Sequence, residues 1–254
     1  MRFALLGSGS QGNALLVEAD DTRLLLDCGF SAGETVRRLA RLGLAPQQLT
    51  AVLVTHEHDD HLGGVARLAR KFALPVWATP GTMRGLGGLL EGLELHRIEG
   101  YACLCIGAIE VQPFPVPHDA REPAQYVFSD GARRLGVLTD AGCATPHIRR
   151  VLDGCDGLVL EANHDPVLLA RSDYPQALKQ RIAGRFGHLD NAQAAGLVAD
   201  LDCTRLQHMV AAHLSQSNNH PDLARGALAD SLGCTPDWIG VAEQESGLDW
   251  RQIA

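Results

Sequence analysis

Thr55-His56-Glu57-His58-Asp59-Asp60-His61 follows directly on the apolar run Ala51-Val52-Leu53-Val54. Three imidazoles and the Asp60 carboxylate crowd into six residues at the end of an expected buried strand. Imidazole and carboxylate are the two ligand types that together hold zinc, manganese or iron. The pattern is H-x-H-x-D-H, not the helical H-E-x-x-H of metalloproteases. A solvated His-Asp loop is the alternative. It is disfavoured because His and Asp recur at later strand ends.

Working outward, Phe3 to Gly7, Ala14 to Ala19 and Arg23 to Cys28 read as strands joined by short polar links, hence an antiparallel meander. Gly7-Ser8-Gly9-Ser10-Gln11-Gly12 fits G-x-G-x-x-G, but a strand-like Leu-Leu-Val run follows where a dinucleotide fingerprint needs a helix. A glycine hairpin is the better reading, one that could offer backbone N–H groups to an anion. Ser31 with Glu34 forms a capping-box pattern opening a helix that Gly43 stops. Ala51 to Thr55 is a strand, Leu62 to Lys71 a helix, Pro75 to Ala78 a strand, and Met83 to Leu90 a Gly-rich helical stretch. Strands return at Ile109 to Phe114, Ala124 to Ser129 and Arg134 to Thr139, then at Leu158 to Ala162, Leu206 to Ala212 and Ile239 to Glu243. Helical segments at Pro146 to Leu152, Tyr174 to Ile182, Asn191 to Leu201 and Asp222 to Leu232 separate the later ones. Each half therefore begins with antiparallel strands and ends in alternating strands and helices. Two mixed sheets face to face, with helices outside both, satisfy that order. No low-complexity or Pro/Ser-rich linker divides the halves, so residues 1–254 are expected to form one domain.

Composition narrows the setting. A net charge of -8 argues against a surface coated for nucleic acid all over, while leaving room for a local basic groove. Seven cysteines at irregular spacing, with no C-x-x-C, make a disulfide framework improbable and a reducing cytosol the natural home. Cys103 and Cys105 read as a half-buried strand pair, with metal binding the alternative. The chain opens into a strand and holds no membrane-length apolar run, so a cytoplasmic, non-membrane protein is expected.

Five further motifs stand at expected strand ends: Val116-Pro117-His118-Asp119, Thr139-Asp140-Ala141-Gly142, Glu161-Ala162-Asn163-His164-Asp165, Gly187-His188-Leu189-Asp190-Asn191 and His213-Leu214-Ser215-Gln216-Ser217-Asn218-Asn219. Seven of the 11 histidines fall in these motifs and the opening one. Functional groups of open sheets gather beyond one edge, at the strand ends.

In these residues the chain resembles the metallo-β-lactamase superfamily over essentially its whole length. The resemblance implies a four-layer αββα sandwich carrying two divalent ions, zinc or manganese, with iron a third candidate. His56, His58 and His118 would hold the first ion, Asp60, His61 and His213 the second, and Asp140 both. Asp27 matches a residue that braces the metal loop; a plain strand-end turn residue is the other reading. Two metals roughly 3.5–4 Å apart acidify a shared water and clamp an in-line displacement. Glu161, His188 and the His213 segment resemble the phosphodiesterase branch, as in tRNA 3′-processing nucleases, where a Glu orients a non-ligand His that acts on the leaving group. His188, Glu161 and Asp60 are thus the implied catalytic residues. His164 has three readings: a substrate contact, a residue behind the ligands, or a replacement ligand.

Ser8-Gly9-Ser10 with Gly12-Asn13, Pro115-x-Pro117-His118-Asp119-Ala120, Glu161-x-Asn163-His164-Asp165, Gly187-His188-Leu189 and His213-Leu214-Ser215 before Asn218-Asn219 narrow the resemblance to small bacterial exonucleases of the YycJ/WalJ type. It implies a 5′-to-3′ DNA exonuclease linked to repair, with nucleic acid as its partner. Asp190 stands where that group usually has Ser; capping of the helix beginning at Asn191 is the favoured reading. The short interval from Asp140 to Glu161 leaves no room for a β-CASP insertion. Ser215, Asn218, Asn219 and His164 are the expected substrate contacts. Arg121, Arg171, Lys179, Arg181, Arg185 and Tyr174 could meet a phosphate backbone or a base, or form an ordinary solvated face. A small-molecule metallohydrolase acting on a lactone, thioester or cyclic nucleotide, or an RNA nuclease, would use the same centre.

Overall fold

The computed structural model describes residues 1–99 and 101–254. Its strands, in chain order, are β1 (Arg2–Gly7), β2 (Ala14–Ala19), β3 (Thr22–Leu26), β4 (Ala51–Leu53), β5 (Val76–Ala78), β6 (Leu95–Arg97), β7 (Leu104–Ile106), β8 (Ile109–Pro115), β9 (Ala124–Ser129), β10 (Arg134–Leu138), β11 (Gly157–Glu161), β12 (His208–Ala212), β13 (Gly240–Val241) and β14 (Leu248–Gln252). They form two seven-stranded sheets, ordered β14-β1-β2-β3-β4-β5-β6 and β13-β12-β11-β10-β9-β8-β7. Each sheet starts antiparallel and turns parallel, at the β3/β4 pair in the first and the β10/β11 pair in the second. That matches the order expected of each half.

The central strands β1–β4 and β9–β12 are buried on both faces along most of their length, which explains their near-continuous apolar runs. One core lies between the sheets: Phe3, Val17 and Leu24 of the first pack with Val111, Tyr126 and Phe128 of the second. Helices cover the two outer faces. On the first sheet these are α1 (Ala32–Arg41), α2 (Asp59–Leu62), α3 (Val65–Phe72) and α4 (Pro80–Leu86), through Leu39, Leu62, Val65, Leu68 and Leu86. On the second, α5 (Pro146–Leu152), α6 (Pro166–Arg171), α7 (Gln176–Ile182), α8 (Asn191–Ala199) and α9 (Pro221–Leu232) follow in sequence. Of these, α5, α8 and α9 pack through Ile148, Leu197 and Leu228. The result is a four-layer αββα sandwich.

Several expectations need correction. The helix expected from Leu62 to Lys71 is two pieces, α2 and α3, separated at Gly63 and Gly64. A Cβ on Gly64 would fall 1.9 Å from the Phe30 carbonyl oxygen, so the chain passes too closely there for any side chain. Strand β14 was not expected, because Leu248-Asp249-Trp250-Arg251-Gln252 is a polar, half-exposed edge segment that joins the first sheet beside β1. The glycine hairpin is present, but its amides are engaged: Gly9 N–H donates to Asn13 Oδ1, Gly12 N–H to Gly9 O, and Gln11 N–H to Gln244 Oε1. Cys103 and Cys105 are exposed rather than half-buried, and all seven cysteines are free.

Candidate active site

The motif residues lie at or just past strand ends, except Gly187-His188-Leu189, which stands on the connection between α7 and α8 and not at the strand end expected of it; the two sheets bring the strand ends together beside it. Asp27, just beyond β3, organises the first loop. Its Oδ1 accepts the Thr55 N–H at 2.8 Å, and its Oδ2 accepts the Thr55 hydroxyl at 2.9 Å. The same Oδ2 lies 2.7 Å from His61 Nδ1. A carboxylate there fixes the ring proton on Nδ1 and leaves the Nε2 lone pair facing the site. Asp27 is therefore a brace and not a turn residue alone. The loop is seated by backbone as well: Asn13 N–H donates to Asp60 O at 2.8 Å and Cys28 N–H to His61 O at 2.7 Å. Gly29 permits that seating, since a Cβ there would meet Asp60 O at 1.8 Å.

Asp27, Asp140 and His213 have φ of 60°, 52° and 54°, the left-handed region. Each turns the chain sharply at a strand end and delivers its side chain into the shared edge of the sheets.

Three ring nitrogens converge first. His56 Nε2 is 3.0 Å from His58 Nδ1, and His118 Nε2 is 3.3 Å from the same atom. His118 Nδ1 donates to Gly187 O at 3.1 Å, so its Nε2 is a lone pair. Burial pushes the His56 and His118 imidazoles down, favouring the neutral rings that metal ions take. Lone pairs gathered this way cannot satisfy one another, whereas a cation satisfies them all.

A second set lies alongside. His61 Nε2 is 3.1 Å from Asp140 Oδ2 and 3.5 Å from Asp60 Oδ2, and His213 Nε2 is 3.4 Å from that Asp60 oxygen. Asp140 Oδ1 reaches toward the first set, 3.8 Å from His118 Nε2. Asp140 Oδ2 is buried without a hydrogen bond, an orphaned anionic oxygen between two groups of imidazoles. The donor set fits divalent metal: His56, His58 and His118, and Asp60, His61 and His213, each lie within 4.8 Å of one another.

Glu161 is fully buried and saturated. Its Oε1 lies 2.8 Å from His188 Nδ1 and 3.0 Å from His213 Nδ1, while Oε2 accepts the N–H groups of Ala141 and Leu189, both at 3.1 Å. Burial alone would raise this carboxyl, but the His188 and His213 rings outweigh it and hold it down at about 2. Burial alone would lower His188; the adjacent Glu161 and Asp140 carboxylates reverse that and raise it. His188 is the most exposed of the rings on this side, with 22% of its side chain open to solvent.

The expected substrate contacts divide. Asn218 is buried, with its N–H donating to Ser215 Oγ at 3.2 Å. Asn219 and Asn191 exchange a reciprocal pair of 2.9 Å amide bonds, and Asn219 also donates to Ala162 O. The Asn219 and Asn191 amides hold the turn after His213, while Asn218 Oδ1 is buried without a hydrogen-bond partner. His164 is buried, belongs to none of the metal-competent groups among the described residues, and has an unpartnered Nδ1. Asp190 caps α8: its side chain accepts the Gln193 N–H at 2.7 Å and the Gln193 side chain accepts the Asp190 N–H at 3.0 Å.

Two residues quoted within the motifs were given no role of their own from the sequence. Ser8 Oγ accepts the His213 N–H at 2.8 Å and bonds Asn13 Oδ1 at 3.0 Å, tying the first hairpin to the last ligand loop. Asp119 Oδ1 lies 3.5 Å from His118 Nε2, and its Oδ2 accepts Arg181 Nε at 2.6 Å. Their signal was membership of the Ser8-Gly9-Ser10 and His118-Asp119 motifs.

Residues 22–213 match the family model described as the Beta-lactamase superfamily domain. The exodeoxyribonuclease YycJ of Bacillus anthracis is 36% identical over 235 residues, covering 91% of this chain and 89% of that protein. The exodeoxyribonuclease WalJ of Streptococcus pneumoniae is 32% identical over 245 residues, covering 94% and 91%. Among solved structures, the metallo-β-lactamase fold protein YhfI of Bacillus subtilis superposes with a TM-score of 0.75 at 16% identity, covering 99% of both chains. The chain belongs to the beta-lactamase superfamily and is a hydrolase of the metallo-β-lactamase fold.

Proposed function

We propose that residues 1–254 act as one unit, a 5′-to-3′ DNA exonuclease of the cytoplasm that serves DNA repair. The observation that carries this reading is the Glu161–His188 pair, 2.8 Å apart beside the His–Asp cluster. A hydrolase of lactones or thioesters has less need of a second, non-ligand imidazole held by a buried carboxylate. Similarity to two exodeoxyribonucleases over more than nine-tenths of the chain supports DNA as the substrate. Free cysteines and the absence of any helix long and apolar enough to span a membrane among the described residues suit a reducing compartment.

His56, His58 and His118 would hold one ion, Asp60, His61 and His213 another, and Asp140 would face both. The mixed imidazole–carboxylate set suits zinc or manganese, with iron also accommodated. When bound, the ions supply Lewis acidity toward the phosphate oxygens and a water acidic enough to attack at neutral pH. The protein's own groups do the rest. Asp60, whose Oδ2 lies between the His61 and His213 rings, would help orient the attacking water. Glu161 holds His188 Nδ1–H, so His188 Nε2–H is free to protonate the departing oxygen. Asp27 and Ser8 fix the loops that carry His61 and His213.

The test is a digest of DNA and RNA labelled at either the 5′ or the 3′ end, with manganese or zinc supplied. Release of short products from 5′-ended DNA is expected, and His188→Ala should keep its metal while losing about 10²–10⁴-fold in turnover. Normal turnover by that variant would remove His188 from the reaction; cleavage of RNA alone would replace the DNA reading.

A further inference from the structure

Phe186 stands in solvent two residues before His188. Its residue surface is 61% exposed, whereas Phe3, Phe30, Phe114 and Phe128 are buried in the cores. A single exposed aromatic is ordinary on most surfaces. This one is carried on a loop pinned by several backbone hydrogen bonds. Phe186 O accepts the Asp119 N–H at 3.1 Å, Gly187 N–H donates to Gly184 O at 2.9 Å, and His188 N–H donates to Ile182 O at 2.9 Å. Gly187 O receives His118 Nδ1 at 3.1 Å. Gly142, two residues past Asp140, packs so closely that a Cβ on it would sit 2.3 Å from Arg185 O and 2.5 Å from Phe186 N. The ring is thus mounted on the same backbone that positions His118 and His188, and a mobile substrate could rely on its place.

The chain flanking the ring is basic. Arg185 precedes it and is exposed, and Arg181, with 59% of its side chain exposed, reaches across to Asp119. Consecutive Cα atoms are about 3.8 Å apart, so the Phe186 backbone lies within roughly 8 Å of the His188 backbone. That is about the reach of one nucleotide. An aromatic face beside a cationic rim is the combination that receives an unstacked base and its phosphate together.

We propose that Phe186 is the stacking platform for the nucleobase next to the scissile phosphodiester. The proposal rests on the nuclease reading above and adds a substrate subsite to it. Stacking is blind to base identity, so the platform grips any terminal nucleotide while discriminating against one that lacks a base.

The experiment compares steady-state cleavage of two 5′-ended duplexes, one with an ordinary terminal nucleotide and one with a tetrahydrofuran abasic residue there. Wild type, Phe186→Ala and Phe186→Trp are assayed with manganese. The wild type should show a KM about tenfold or more lower for the base-bearing end. Phe186→Ala should erase that preference, and Phe186→Trp should restore it. Retention of the preference in Phe186→Ala overturns the stacking role alone. Failure of the wild type to cleave either duplex overturns the nuclease reading, and the platform with it.

Discussion

The two sheets contribute to one site by different means. The first sheet offers a single continuous loop, His56 to His61, in which four donors follow one another and one carboxylate, Asp27, braces the fold of the loop. The second sheet's half offers one residue at a time: His118, Asp140, Glu161 and His213 from four strand ends, and His188 from the connection between α7 and α8. Its organiser is Glu161, which reaches rings on two of those segments. A compact loop suits ion capture, because its geometry is local and survives small shifts of the sheets. A set assembled from distant segments suits chemistry on a substrate, because each group is placed independently of the others. On this view Asp27 governs occupancy alone, whereas Glu161 governs turnover through His188 while also bracing the ligand His213.

Exchanging the two organisers for amides tests that division most severely. Glu161→Gln should lower kcat by about 10²-fold or more, since both His188 and His213 lose their anionic partner. Its metal content, read by elemental analysis, should fall far less than its activity. Asp27→Asn should show the reverse: metal affinity weaker by about 10–100-fold, with kcat at saturating metal reduced much less than in Glu161→Gln. Equal losses of affinity and turnover in both variants would collapse the distinction between capture and chemistry.

Gly29→Ala attacks the seat of the first loop without touching a donor. Its Cβ has no room against Asp60 O, and a destabilisation of about 1–3 kcal/mol is expected from the forced shift. Denaturant midpoints with and without metal would measure it, and an unchanged midpoint would mean the loop is softer than drawn.

The smallest effect concerns the seam between the first and last segments. Buried Arg38 donates to Leu6 O at 2.9 Å and to Gln244 O at 2.7 Å, and Glu34 accepts from its Nε. The hydrogen bond from Arg37, with Arg38 adding to it, holds the Glu34 carboxyl down at about 2, below its ordinary 4.5. A depressed carboxyl contributes stability that is complete above about pH 4.5 and is lost as the pH falls toward 2. The difference in denaturant midpoint between wild type and Glu34→Gln should therefore shrink over that interval. A difference constant with pH would detach the seam from this ion pair.

Legibility followed the same division. The first loop could be read directly because its donors are adjacent, and the strand order of both halves was visible in their apolar runs. Asp190 was readable as a cap because Gln193 supplies the other half of a local box. Strands β6 and β14 were not readable: β6 has three residues and is largely exposed, and β14 is a polar segment defined only by β1 at the other end of the chain. Asn218 and Asn219 were read as substrate contacts because they follow His213; their hydrogen bonds to Ser215, Asn191 and Ala162 depend on the folded turn, two of them joining segments far apart in the chain, and could not be read from the sequence. Whether Asp27 braced anything depended on Thr55 and His61 folding back over it, a contact that composition cannot announce.

The left-handed backbone at Asp27, Asp140 and His213 has an evolutionary consequence. A residue other than glycine in that region costs on the order of 1–3 kcal/mol, so these three, half of the six non-glycine residues held there among the described ones, store strain at the site. Replacing any one by glycine removes a ligand or its brace and relaxes the backbone at the same stroke. The shortest mutational route to a sturdier protein thus runs through its inactivation, and only continued selection for activity keeps a lineage from taking it.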